Sequence, residues 1–151
     1  MKATYRVLNS TSMFLLMVVW LAFYFGAHLW PASHWLEVRS VSAGPARMGE
    51  HVPMVVDREI KRPFHGNWTV IVRQWENEGW VEACSASGSS QYRAGNDLPA
   101  KLTLAWWTGG KCTYLFPGRY VISTTWQIEP TTSFLPPKRV SAEGNIFEVT
   151  P

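Results

Sequence analysis

The stretch "NWTVIVRQWENEGWVEACS", residues 67–85, decides the fold. Apolar and polar residues alternate on both sides of "ENEG", the period of a half-buried strand, and residues 76–79 are turn formers. A hairpin is expected in which Trp75 faces Trp80. Counting outward places Arg73 opposite Glu82 and Ile71 opposite Cys84 on one face, with Val72 opposite Ala83 and Gln74 opposite Val81 on the other. Trp68, Val70 and Val72 are then core residues. The outer face carries an Arg73–Glu82 ion pair and a Trp75/Trp80 pair.

The chain beyond residue 35 continues in this manner, as short strand-like runs separated by Gly, Pro, Asn and Asp, with no sustained helical period. The runs are 36–41, 52–60, 68–75, 80–85, 102–107, 119–128 and 146–150, with a short one around 113–115. This pattern predicts an all-β, Ig-like two-sheet sandwich of about seven strands. In "LTLAWW", residues 102–107, alternation puts Leu102, Leu104 and Trp106 inside and turns Trp107 out. "TGG" then opens a turn. In "FPGRY", Pro117 and Gly118 fit the centre of a tight turn, and in the strand that follows Tyr120, Ile122, Trp126 and Ile128 share the buried face. "SASGSS", residues 85–90, has the composition of a turn and "TTSFLPPK", residues 131–138, that of a loop.

The N-terminal part differs. Residues 7–36 contain no Asp, Glu, Lys or Arg, and residues 13–30, "MFLLMVVWLAFYFGAHLW", form an 18-residue apolar run, long enough to span hydrocarbon with little tilt. A cleaved signal peptide would need small residues at the right spacing. Cutting after Ala27 puts Phe25, and after Ser33 puts Pro31, where a small residue belongs, so an uncleaved anchor is expected. Lys2 and Arg6 precede the run, which orients the N-terminus toward the cytoplasm. The expected division is a cytoplasmic tail over 1–12, a transmembrane helix over 13–33 and an extracytoplasmic domain over 34–151. Trp30 and Trp35 suit an interfacial aromatic belt. Setting aside Lys2 and Arg6, the net charge of +3 reduces to 12 basic against 11 acidic residues, which argues against a nucleic-acid partner.

Cys84 and Cys112 are the only cysteines. Both fall in the segment expected outside the cytoplasm, where a disulfide persists, and their spacing matches neither a CxxC redox motif nor a four-ligand zinc site. They are expected to be bonded to each other. The chain contains no GxSxG elbow, HExxH, Gly-rich phosphate loop or Ca-binding loop. Asp57, Glu59 and His65 lie near one another in sequence, but "IKRPF" between them adds two positive charges, so a solvated strand end is expected there and no metal. Asn67-Trp68-Thr69 fits a glycosylation acceptor, which has meaning only in a eukaryotic secretory pathway. No cofactor and no catalytic residue is indicated. The nine tryptophans are the unusual feature. Trp75, Trp80 and Trp107 are the ones that patterning turns outward, with Arg73 beside the first two, and exposed aromatics on a rigid sheet serve as binding anchors.

"RPFHGNWTV", the cysteine followed by "SGSSQYR", "LAWWTGGKC" and "LFPGRYVISTTWQI" together resemble small membrane-anchored β-sandwich proteins of phages and prophages of Gram-negative bacteria, over about residues 62–128. The resemblance implies an Ig-like ectodomain facing the periplasm, with no catalytic residues to carry over, and a role in a phage or host envelope process. The expectation is a single-pass inner-membrane protein whose periplasmic domain is a binding or structural module for a protein partner. The alternative is a carbohydrate or peptidoglycan binder, and an envelope hydrolase comes third.

Overall fold

The computed structural model describes residues 10–95, 98–131 and 135–151. Lys2 and Arg6, and with them most of the expected cytoplasmic tail, lie outside the described residues.

The chain begins with helix α1 (Ser10–Leu29), followed by Pro31 and a single 3-10 turn (Ala32–His34). The helix has no polar face. Its bulky side chains, among them Phe14, Val19, Trp20 and Phe23, are exposed all round. The expected span over 13–33 is corrected here, because Pro31 cannot continue the backbone ladder and the helix stops at Leu29. Among the described residues no helix is long and apolar enough to cross a membrane. Trp35, expected at a membrane interface, is instead buried in the core at 5 % exposure.

The rest is β-structure: β1 (Leu36–Ala43), β2 (Ala46–Arg47), β3 (Met54–Ile60), β4 (Phe64–Glu76), β5 (Gly79–Tyr92), β6 (Gly118–Glu129), β7 (Lys138–Glu143) and β8 (Phe147–Thr150). Strands β1 and β3 form one antiparallel sheet, and the other has the order β2-β8-β6-β4-β5, with β7 also paired to β6. Both sheets contribute to one buried cluster: Leu36, Val41, Met54 and Ile60 from the first, and Phe64, Val70, Val72, Tyr120, Ile122, Trp126 and Ile128 from the second. Asn145, between β7 and β8, ties the two together. Its side chain accepts from the Ala43 N–H at 2.8 Å and donates to the Ala43 carbonyl at 3.0 Å.

The β4–β5 hairpin has the expected tip. Trp75 pairs with Trp80, Gln74 with Val81 and Arg73 with Glu82. Asn77 and Glu78 carry the turn at φ 45° and 70°, the positive values that a two-residue hairpin loop needs to match strand twist. Beyond Arg73 a bulge shifts the register, so Val72 faces Cys84 and Ile71 faces Ser85 in place of the pairs counted from the turn. The bulge adds a residue on β5, which regular alternation does not reveal. The strands also run much further than expected, and residues 85–90 are strand, not turn. There Gly88 lies opposite Trp68, and a Cβ at Gly88 would stand 2.8 Å from the Trp68 ring. The small residues of "SASGSS" make room for an indole.

The segment 102–107 is a further correction. Leu104–Trp107 form one turn of helix, α2, and not a strand. Thr103 caps it, its hydroxyl accepting from the Trp106 N–H at 3.3 Å. Gly109 and Gly110, at φ 60° and 84°, end it, and the Gly110 N–H reaches the Ala105 carbonyl at 2.7 Å. The inward set is therefore Leu104, Trp107 and Thr108, at helical spacing. Residues 113–115 form no strand, whereas Lys138–Glu143, left as chain beyond a loop by composition, do.

Candidate functional site

The expected disulfide is present, Cys84 on β5 to Cys112 just after α2, with Cα atoms 6.1 Å apart. It holds the α2 segment over the edge of the larger sheet. Thr108, fully buried, completes the fastening: its hydroxyl donates to the Leu104 carbonyl at 2.8 Å and accepts from the Cys112 N–H at 3.1 Å.

Under α2 lies a cavity of about 230 Å³. Its floor is the inner face of the larger sheet, where Trp68 and Val70 of β4, Ser90 and Tyr92 of β5 and Thr124 and Trp126 of β6 come together. Trp106, Trp107 and Gly109 form its wall, and Arg58 of β3 reaches in from the smaller sheet. Sheet alternation explains the floor, because Trp68 and Val70 share a face and Trp126 stands directly opposite Trp68. Arg58 has its guanidinium carbon 5.5 Å from the Tyr92 ring centroid and 5.4 Å from that of Trp107, within cation–π range of both. Among the described residues Arg58 is the one charged residue of the lining.

The two tryptophans of "WW" thus have the reverse of their expected roles. Trp107 is 7 % exposed, packs edge-on to Trp126 at 6.0 Å between centroids, and donates from its indole N–H to Thr124 Oγ1 at 3.1 Å. Trp106 is 52 % exposed at the cavity rim. The signal that identifies the helix was in the sequence: Thr103 as cap and Gly109-Gly110 as terminator, around one helical turn. Arg58 and Tyr92 carried no such signal, since their meeting depends on how the two sheets face each other.

Trp75 and Trp80 are exposed as expected, at 41 % and 36 %, with rings edge to face at 5.2 Å. Arg73 is opposite Glu82, but the expected ion pair is absent among the described residues; its guanidinium lies 3.5 Å from Ser123 Oγ, across β6. The tip is far from the cavity. It is also far from α1, because β4 starts at the sheet end where Ile128 pairs with Lys138, whose ammonium donates to the His28 carbonyl at 2.7 Å. The ten residue steps from His65 to Trp75 cover roughly 30 Å of strand.

The charges around "VVDREIK" are used elsewhere. Arg39 bridges Asp57 at 3.2 Å and Glu59 at 2.8 Å, and Lys61 pairs with Glu37. The Lys61 ammonium on its carboxylate holds Glu37 below the ordinary carboxylate range, and the Asp57 charge raises Arg39 further. All of these groups are solvent-exposed, so they add little to stability. Among the described residues no cluster of three or more His, Cys, Asp or Glu could hold a metal ion. Compared with known proteins, the chain matches no family model and no curated protein.

Proposed function

We propose that this chain is a non-catalytic binding module of a bacterial envelope: an Ig-like sandwich held at the inner membrane by α1, with its β-domain outside the cytoplasm and the Trp75/Trp80 tip meeting a protein partner. The observation that carries the reading is the exposed Trp pair, fixed edge to face at the tip of a long hairpin, at the opposite end of β4 from the Lys138–His28 contact with α1. Rigid exposed aromatics supply large contact area at low entropic cost, and such residues dominate binding energies.

Three further features support the setting. Helix α1 is apolar on every side yet left uncovered by the rest of the chain, and such a helix needs an apolar environment. The Cys84–Cys112 bond suits an oxidising compartment. Tyr120, at the start of β6, donates its hydroxyl to the Phe116 carbonyl at 2.7 Å, the backbone-directed tyrosine that marks Greek-key corners of Ig-like domains.

The test is photo-crosslinking in cells with the probe at position 78, in the turn, and a control probe at the exposed position 119. A discrete adduct at 78 that disappears in the Trp75→Thr/Trp80→Thr variant supports the reading, and no adduct at 78 overturns it. Release of the protein from membranes by alkaline wash would remove the anchor from the proposal.

A further inference from the structure

We propose that the cavity under α2 binds one neutral saccharide ring, stacked on Trp106 at the rim and met at the floor by the Thr124 hydroxyl. The site does not depend on the Trp75/Trp80 reading, since the two places are separated along β4.

Size comes first. Drug-sized ligands occupy roughly 300–1,000 Å³, so a cavity of about 230 Å³ admits a single ring. Charge is the second restriction. Arg58 is already engaged within the protein, its guanidinium lying over the rings of Tyr92 and Trp107, and it serves here as wall. Among the described residues the lining carries no other charge, so an ionic guest would leave water with no counter-ion to meet it. A cation would also find the faces of those two rings taken. The guest is therefore uncharged.

Hydrogen bonding excludes a purely apolar guest. Thr124 is 1 % exposed and lines the cavity. Its oxygen accepts from the Trp107 indole, yet among the described residues its own O–H donates to nothing. A buried donor is costly to leave without an acceptor, so the guest must bring an oxygen to it. Ser90 supplies a second hydroxyl from β5. Trp106, half exposed, offers an indole face, whose negative π-surface attracts polarised C–H groups. A pyranose answers all three, with a C–H face for the indole and hydroxyls around its edge for Thr124 and Ser90.

The experiment titrates the full-length protein, in a detergent without sugar head groups, with glucose, galactose, mannose and N-acetylglucosamine, and follows tryptophan fluorescence and heat. At least one of the four should bind saturably. Trp106→Ala, at an exposed position, should weaken that sugar about tenfold, while Trp75→Thr/Trp80→Thr leaves its affinity unchanged. Thr124→Ser should retain binding and Thr124→Val should lose up to about tenfold, the worth of one hydrogen bond. Trp106→Ala carries the test even where Thr124→Val impairs folding. Saturable binding of none of the four sugars, unchanged affinity in Trp106→Ala, or tighter binding of benzyl alcohol, choline or glucuronate than of any neutral sugar would each overturn the proposal.

Discussion

The indole N–H of Trp107 donates to Thr124 Oγ1 at 3.1 Å, and both groups are buried. This bond crosses from α2 to β6 and fixes which tryptophan of the pair faces the core. Thr124→Val keeps the side-chain shape but leaves a buried donor unpaired, at a cost of about 1–3 kcal/mol. Thr124→Ser keeps the hydroxyl and loses about one methyl group, roughly 0.8 kcal/mol. Urea denaturation of the two variants should show valine as the worse; a valine variant as stable as the parent would mean the bond contributes nothing.

Alternation along "NWTVIVRQW" was sufficient for the core face of β4, and "RYVISTTWQI" likewise for β6, because each strand buries mainly one face, although Val121 on the other face of β6 is buried too. The same rule failed at "LTLAWW", where one capped turn of helix replaces period two by a spacing of three and four. Composition misled in "SASGSS", since its small residues answer to Trp68, a partner distant in sequence. Register past Arg73 was lost to a bulge. The cavity was the least legible feature of all: Arg58, Tyr92 and Trp107 come from three separate segments, and only the closing of the two sheets brings them together.

Gly88 provides a test of that strand assignment. In a turn, Gly88→Ala would be close to neutral. In the structure its Cβ would stand 2.8 Å from Trp68 Cζ2, so the indole must move against its neighbours, and overpacking of this kind costs about 1–3 kcal/mol. Ser87→Ala, on the exposed face next to it, should change stability by less than about 0.5 kcal/mol. Equal stability of the two variants would argue against the packing of Trp68 on Gly88.

The disulfide closes a loop of sequence separation 28, for which the chain-entropy model gives about 3–4 kcal/mol. Replacing Cys84 and Cys112 by alanine should lower stability by about that amount. It should also loosen α2, so that Trp107 becomes more accessible and the tryptophan emission shifts to the red before global unfolding. Two alkylatable thiols in the native, non-reduced protein would show that the bond does not form.

Tyr120 makes the alkaline limb of stability specific. Burial, and secondarily the charge of Glu76, raise its hydroxyl above the ordinary value of 10.0. The neutral form is the one the fold prefers, and the phenol also donates to the Phe116 carbonyl, a bond that the phenolate cannot make. Over the interval between the unfolded and folded values the unfolded chain has already lost its proton while the native protein retains it. Stability from this group is therefore fully present below about pH 10 and is lost as pH rises from there through the raised folded value. Tyr120→Phe should be less stable at pH 8 by about 0.5–1.5 kcal/mol, the worth of one hydrogen bond. The gap between the two proteins should narrow as pH is raised above 10, because only the parent has this proton to lose. Parallel stability curves for the parent and Tyr120→Phe from pH 8 to 11 would show that the Tyr120 hydroxyl titrates alike in both states, and the corner bond would then lose its electrostatic explanation.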